Sequence, residues 1–327
     1  MEHILVTGGA GFIGSNLIAS LLQSKKYKVT CIDNFDDFYS IEQKEWNIKP
    51  YLPNPDFSLI KGDIRNAEDL DLAKDVDIII HLAAKAGVRP SIQNPALYLD
   101  VNINGTQVLL EYAHAKDIKR FIFASSSSVY GLNEHSPWIE EDTLCPISPY
   151  ASSKIAGEML GHVYSHLYGI RFLALRFFTV YGPGQRPDLA IHKFFKAISQ
   201  GNAIPVYGDG TTSRDYTFVD DAVKGIIGAL DYDRSNFEII NIGNHNVVTL
   251  RKLITAIEDI CGKTANIDRY LEQPGDVSKT FADISKAQEY LNYDPSTKLE
   301  EGLLSFYDWF KEFYAAKGHE SLKINLE

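Results

Sequence analysis

Cysteine is scarce in this chain: Cys31, Cys145 and Cys261 are the only three in 327 residues. An odd number without metal-ligand spacing excludes a disulfide scaffold and a cysteine-rich metal centre, and it fits a reducing compartment. Basic runs are also missing. Lys and Arg number 32 against 43 Asp and Glu, a formal net charge of −11. That balance argues against nonspecific nucleic-acid binding, although a few Arg residues in one site could still receive an anionic small molecule. No apolar run approaches the ~18–20 residues a membrane helix needs. Met1-Glu2-His3 leads at once into a core strand, with no room for a leader. Repeats and low-complexity tracts are absent. The expectation is a soluble cytoplasmic protein with no metal, no nucleic-acid partner and no membrane association.

What is present is ordinary globular material, 45% hydrophobic and 23% charged, long enough for about two domains of ~100–200 residues. Short β-branched runs at 4–7, 28–32, 58–61, 76–81, 121–125 and 171–177 alternate with helical patterns, the first at 12–24. Continuous apolar strands separated by helices predict a Rossmann-type, doubly wound α/β fold with a parallel sheet. After about residue 180 the rhythm changes. Helical patterns at 190–200, 218–230, 250–261 and 299–313, with strands at 203–207 and 238–242, predict a smaller mixed α/β lobe. The expected division is a cofactor domain over 1–180 and a substrate lobe over 181–327, with elements near 216–250 packing back on the first domain.

Gly9, Gly11 and Gly14 form a GxGxxG between a predicted strand and a predicted helix. In that context the glycines permit close approach of the backbone to a pyrophosphate, and the helix N-terminus supplies free N–H groups. Gly8, Phe12 and Ile13 belong to the same turn; a glycine turn without a ligand is the plainer alternative. Asp33, at the end of the second strand, suits the ribose hydroxyls of NAD and would repel a 2′-phosphate. Asn34 and the residues up to Asp37 add no cation, so NAD is expected rather than NADP. Asp63 and Ile64 follow the third strand, where Asp63 suits either adenine or a plain turn. Ala83, Ala84 and Lys85 follow the fourth, and small residues there let a dinucleotide lie across the strand ends.

Tyr150 and Lys154 stand four apart, on one face of a predicted helix. A Tyr so paired serves as general base, with the ammonium lowering its pKa from about 10. Upstream, Ser125-Ser126-Ser127-Ser128-Val129-Tyr130-Gly131 lies at the carboxyl end of the fifth strand, where ligands bind in such sheets.

With TGGAGFIG, SSSSVYG, YASSK, LRFFTVYGPGQRPD, SRDYTFVDD and QPGDVSKTFAD in this order, the chain resembles the extended short-chain dehydrogenase/reductases, the nucleotide-sugar epimerases and dehydratases. The resemblance spans nearly the whole sequence. It implies tightly held NAD, a C-terminal lobe for a nucleoside-diphosphate sugar, and a homodimer. It also implies that Tyr150 is the base, Lys154 its partner and Ser126 the hydroxyl beside the sugar O4. Arg214 matches the family's pyrophosphate ligand, and Val206 and Tyr207 its uracil contact.

Related 4,6-dehydratases carry an Asp-Glu pair where Ser127 and Ser128 stand. Two hydroxyls cannot supply the acid and base that elimination requires, which disfavours dehydratase and uronate decarboxylase chemistry and leaves reversible oxidation at C4. The stretches containing Arg89, Thr179, Arg186 and Asp276 resemble those of UDP-glucuronate 4-epimerases. The expected reaction is therefore UDP-glucuronate to UDP-galacturonate; UDP-glucose or a UDP-N-acetylhexosamine is the alternative substrate, and a non-catalytic NAD sensor the more distant rival. Ser127, Ser128, Thr179 and Arg186 are the expected donors to the uronate carboxylate.

Overall fold

The computed structural model describes residues 1–271 and 277–318. Its strands are β1 (Glu2–Thr7), β2 (Tyr27–Asp33), β3 (Phe57–Lys61), β4 (Ile78–His81), β5 (Arg120–Ser126), β6 (Arg171–Phe177), β7 (Thr179–Tyr181), β8 (Ala203–Tyr207), β9 (Ser213–Phe218), β10 (Phe237–Ile242), β11 (Val247–Thr249) and β12 (Asn266–Tyr270). Seven of them form one sheet in the order β3-β2-β1-β4-β5-β6-β10. Every neighbouring pair in it is parallel. The order reverses between β1 and β4, and a crevice opens there at the carboxyl ends of the strands.

Strand alternation builds two cores. Ile4, Val6, Ile78 and Ile80 face one, and Leu5, Ile79, Phe121 and Phe123 face the other. Helices Phe12–Ser24 and Val219–Leu230 cover the first face, and helices Gly105–Ala115 and Pro149–Tyr168 the second. Strands buried on both faces explain why they read as unbroken apolar runs.

After β6 the chain leaves the sheet and returns to it only at β10, which lies beside β6. Between and beyond these points lie the small sheet β11-β9-β7 and the parallel pair β12-β8. Asp215, fully buried on β9, ties the region together. Its carboxylate accepts backbone N–H groups from Asn244 at 2.7 Å, His245 at 3.1 Å and Ala282 at 3.2 Å. Among the described residues no helix is long and apolar enough to cross a membrane.

Candidate active site

One cleft of about 980 Å³ runs along the strand ends, from the turn after β1 to the loops of β6, β8 and β9. Its first wall is the glycine turn. Gly8 has φ +68°, and a Cβ there would stand 2.7 Å from Ala83 Cα. A Cβ on Gly14 would stand 2.5 Å from the Gly8 carbonyl oxygen. Helix Phe12–Ser24 begins at Gly11 with no side-chain cap, so its first N–H groups remain available to an anion. The turn is thus a cradle that only glycine fits, opening on a helix N-terminus, and it suits a pyrophosphate.

Asp33 ends β2 beside this cradle. Its Oδ2 accepts from Ala10 N at 3.0 Å and its Oδ1 from Phe35 N at 2.9 Å. Burial pushes its carboxyl up, opposed by those bonds and by the Lys44 ammonium. Lys44 corrects the expectation of no cation nearby. Helix Ile41–Ile48 folds back over the site, and Lys44 Nζ donates to the Asp36 carbonyl at 2.6 Å. Lys85 approaches from the β4 side and pairs with Asp36 Oδ1 at 2.6 Å. Distance along the sequence hid both.

Asp63 and Ile64 line the cleft with Asn34, Ala83 and Ala84. Both Asp63 oxygens are engaged: Oδ1 accepts from Arg65 Nε at 2.9 Å, and Oδ2 accepts from Arg65 Nη2 at 2.7 Å and Asn34 Nδ2 at 2.9 Å. Hydrogen bonding from Arg65 holds its carboxyl down to about 2. The turn role is satisfied within the protein, by Arg65 N at 2.9 Å, while the side chain still lines the cleft. Asn102, which sequence reasoning missed, clamps the loop after β4: it accepts from Lys85 N at 2.8 Å and donates to Ser153 Oγ at 2.9 Å.

The far end holds Ser126, Tyr150 and Lys154 together. Ser148 caps helix Pro149–Tyr168 through Ala151 N at 3.1 Å, which puts Tyr150 in its first turn. Lys154 Nζ donates to the Ala124 carbonyl at 2.7 Å and lies 5.8 Å from the centre of the Tyr150 ring. Burial lowers Lys154 to about 8, opposed by Glu158. Burial raises the Tyr150 phenol, opposed by a hydrogen bond with Ser126 and by the Arg186 guanidinium. Desolvation is thus the larger influence on the Tyr150 phenol, and Ser126 and Arg186 oppose it.

The serine cluster divides. Ser125 borders the cleft, and its Oγ donates to the buried Glu158 Oε1 at 2.5 Å. Ser128 Oγ donates to Ser126 Oγ at 2.9 Å. Ser127 and Ser128 fall in the 3₁₀ turn Ser127–Val129 and are not among the lining residues, whereas Thr179 and Arg186 are. Arg186 is held by Asp188 through Nε at 2.9 Å and Nη2 at 2.7 Å.

At the outer end the Arg89 guanidinium lies 4.8 Å from the centre of the Tyr207 ring. Arg214 reaches the same cleft and donates through Nη1 to the Ser213 carbonyl at 2.8 Å. Val206 is corrected: its side chain is 2% exposed and belongs to the core, because alternation on β8 turns only its neighbours to the cleft. Asp276 lies outside the described residues. The lining residues Phe38, Tyr39, Gln185 and Asp188 were missed. The aromatic pair close behind Asp33 was a signal for Phe38 and Tyr39, and Gln185 and Asp188 flank Arg186 in the GQRPD stretch.

A UDP-glucuronate 4-epimerase of Thermodesulfobacterium geofontis is 40% identical over 318 residues, covering 95% of this chain and 97% of the relative. A crystal structure of UDP-glucuronic acid 4-epimerase from Bacillus cereus, with UDP-glucuronic acid and NAD, matches with TM-score 0.91 and 40% identity over 95% of this chain and 100% of that one. A UDP-N-acetylglucosamine 4-epimerase from Methanobrevibacter ruminantium M1, with UDP-N-acetylmuramic acid, matches with TM-score 0.88 and 33% identity over 95% and 99%. Residues 5–305 match the GDP-mannose 4,6 dehydratase family, a span holding both the glycine cradle and the Tyr150–Lys154 pair, and the chain belongs to that family.

Proposed function

We propose that this chain is an NAD-dependent UDP-sugar 4-epimerase that interconverts UDP-glucuronate and UDP-galacturonate. The observation that carries the reading is the single continuous cleft. It joins a pyrophosphate cradle beside Asp33 to the Ser126–Tyr150–Lys154 group, and that group to the guanidinium of Arg186. Two relatives that share 40% of the sequence over nearly its whole length are named for the same activity.

Gly8, Gly11, Phe12, Ile13 and Gly14 would hold the pyrophosphate, with Asp33 on the adenosine ribose. Bound NAD supplies a hydride acceptor that takes the C4 hydrogen of the sugar and later returns it. Tyr150 takes the O4 proton on oxidation and gives it back on reduction, with Ser126 hydrogen-bonded beside it. Lys154 and Arg186 favour the phenolate form. Arg214 and Arg89 suit the UDP pyrophosphate, and Tyr207 the uracil. The pyrophosphate anchor lets the 4-keto sugar turn over, so the hydride returns to its opposite face.

Thr179 and Arg186 support a uronate. Nε and Nη2 of Arg186 are taken by Asp188, which leaves Nη1 for a carboxylate. We also assign 1–180 with the returning elements near 216–250 to the cofactor and the rest of 181–327 to the UDP-sugar. A homodimer and a cytoplasmic location complete the reading. Incubation with UDP-glucuronate, UDP-glucose and UDP-N-acetylglucosamine, followed by proton NMR, tests it. UDP-galacturonate should form fastest. Faster turnover of either neutral sugar transfers the assignment to that sugar, and no epimer from any of the three ends the epimerase reading.

A further inference from the structure

Tyr39 follows the Asp33 turn and lines the same cleft as Tyr150 and Lys154. Its hydroxyl is buried and makes no hydrogen bond within the protein. Buried polar groups are almost always satisfied, so an orphan in a binding cleft points to a ligand partner. The two carboxylates whose charge it feels most, Asp33 and Asp188, are already engaged. Asp33 accepts from Ala10 and Phe35, and Asp188 from Arg186.

The position of the hydroxyl is defined from two directions. It lies 4.0 Å from the place a Cβ on Gly11 would occupy, above the uncapped start of helix Phe12–Ser24. It is also near enough to Asp33, at the adenosine end, and to Arg186, at the catalytic end, to feel the charge of both, and all three line the one cleft. The middle of a dinucleotide stretched between those ends is its pyrophosphate. The ring is also fixed. The Lys44 ammonium packs 4.8 Å from its centre, and Lys44 and Lys85 both bind Asp36, three residues before it. Burial pushes the phenol upward, which keeps it a protonated donor.

We propose that Tyr39 is a cofactor-holding residue whose hydroxyl donates a hydrogen bond to the pyrophosphate seated at the Gly11 helix terminus. The inference rests on the reading of this cleft as an NAD site. It adds one charge-assisted bond from outside the glycine turn, delivered by the segment that also covers the cleft.

Tyr39→Phe removes the hydroxyl and keeps the ring packing. The test loads wild type and variant with NAD and follows exchange against isotopically labelled NAD. The variant should exchange about tenfold faster or more, the effect of one lost bond to a charged group. The KM for UDP-glucuronate should not change. ADP should lose affinity in parallel with NAD, and adenosine, which has no phosphate, should not. Wild-type retention of NAD with unchanged exchange in the variant overturns the role of Tyr39 and leaves the cofactor reading standing; a wild type that retains no NAD ends that reading itself. Unchanged exchange with a raised KM assigns the hydroxyl to the sugar and also overturns the proposal. If the variant does not fold, wild type labelled with carbon-13 at tyrosine Cζ decides: ADP must shift the Tyr39 resonance, adenosine must not, and any other result overturns it.

Discussion

Tyr150 owes its setting to groups that never reach the substrate. Glu158 lies one helical turn beyond Lys154 and is fully buried with Arg176, Nη2 to Oε2 at 2.8 Å and Nε to Oε1 at 2.9 Å. Arg176 Nη1 also donates to Tyr130 OH at 3.0 Å. This pair joins β6 to the catalytic helix and, through Ser125, to the end of β5. Tyr150→Phe should retain NAD and UDP-sugar and lose about 10²–10⁴-fold in turnover, the usual contribution of a general acid–base group; a near-native rate would mean that another group is the base. Lys154 makes a prediction of opposite sign for stability. Its native pKa of about 8 lies below the ordinary lysine value, so between about pH 8 and pH 10.4 the unfolded chain binds more protons and this group's contribution to stability rises with pH. Lys154→Met should therefore melt above wild type at pH 7, with the gap closing by about pH 10, while activity is lost. A melting series over that range checks both signs. Thr179 tests the sugar. Oxidised glucuronate is a β-keto acid, and donors kept on its carboxylate oppose loss of CO₂. Since Thr179 lines the cleft and Ser127 does not, Thr179→Val should raise the KM for UDP-glucuronate about tenfold and increase the UDP-pentose by-product seen by NMR. Ser127→Ala should do less; the reverse order would return the carboxylate to the serine turn.

Among the elements, helix Pro149–Tyr168 is placed by what its inner face lacks. A Cβ on Gly157 would meet Phe123 Cζ at 2.3 Å, and one on Gly161 would meet Phe172 Cε1 at 2.2 Å. These contacts are with rings buried in the sheet, which cannot yield without shifting β5 or β6. Gly161→Ala improves helix propensity by about 1 kcal/mol, but overpacking should outweigh the gain and leave the variant about 1–3 kcal/mol less stable in urea unfolding. The strands of the parallel sheet were legible because burial on both faces writes them as apolar runs. β4 starts at Ile78, two residues after the expected start, since apolarity alone does not mark where pairing begins. β7, β9, β11 and β12 were missed; β7 and β11 are only three residues long. β9 is mostly buried, but its SRDYTF sequence reads as a motif and not as an apolar run, and β12 is exposed along its whole length. The glycine cradle and the Tyr150–Lys154 pair were legible because close spacing on one turn or helix puts their chemistry together. Lys44, Tyr39 and Asp188 were not, because their place depends on how distant segments fold over the cleft.

For the whole molecule, the surface of the same helix carries the last consequence. Met159, Val163 and Leu167 recur every four residues on it and are 48%, 46% and 59% exposed. Residues at that spacing form one stripe along a helix. Leu99, 41% exposed, ends the neighbouring helix Pro95–Leu99, which packs on the catalytic helix. A contiguous apolar stripe of this kind marks an interaction face. The inner face of the helix is filled by the sheet, so a second copy meeting the stripe would press the Tyr150 helix between its own sheet and its partner. That arrangement would fix the position of Tyr150 from both sides and would tie assembly to catalysis. Wild type should then sediment as a dimer and Met159→Glu with Val163→Glu as a monomer at the same concentration, because charges in the apolar centre of an interface lose their hydration without gaining partners. The monomer should keep the fold but melt earlier and turn over more slowly, since one support of the catalytic helix is gone. A double variant that sediments with wild type would place the dimer contact on another face, and a wild type already monomeric would remove the dimer altogether.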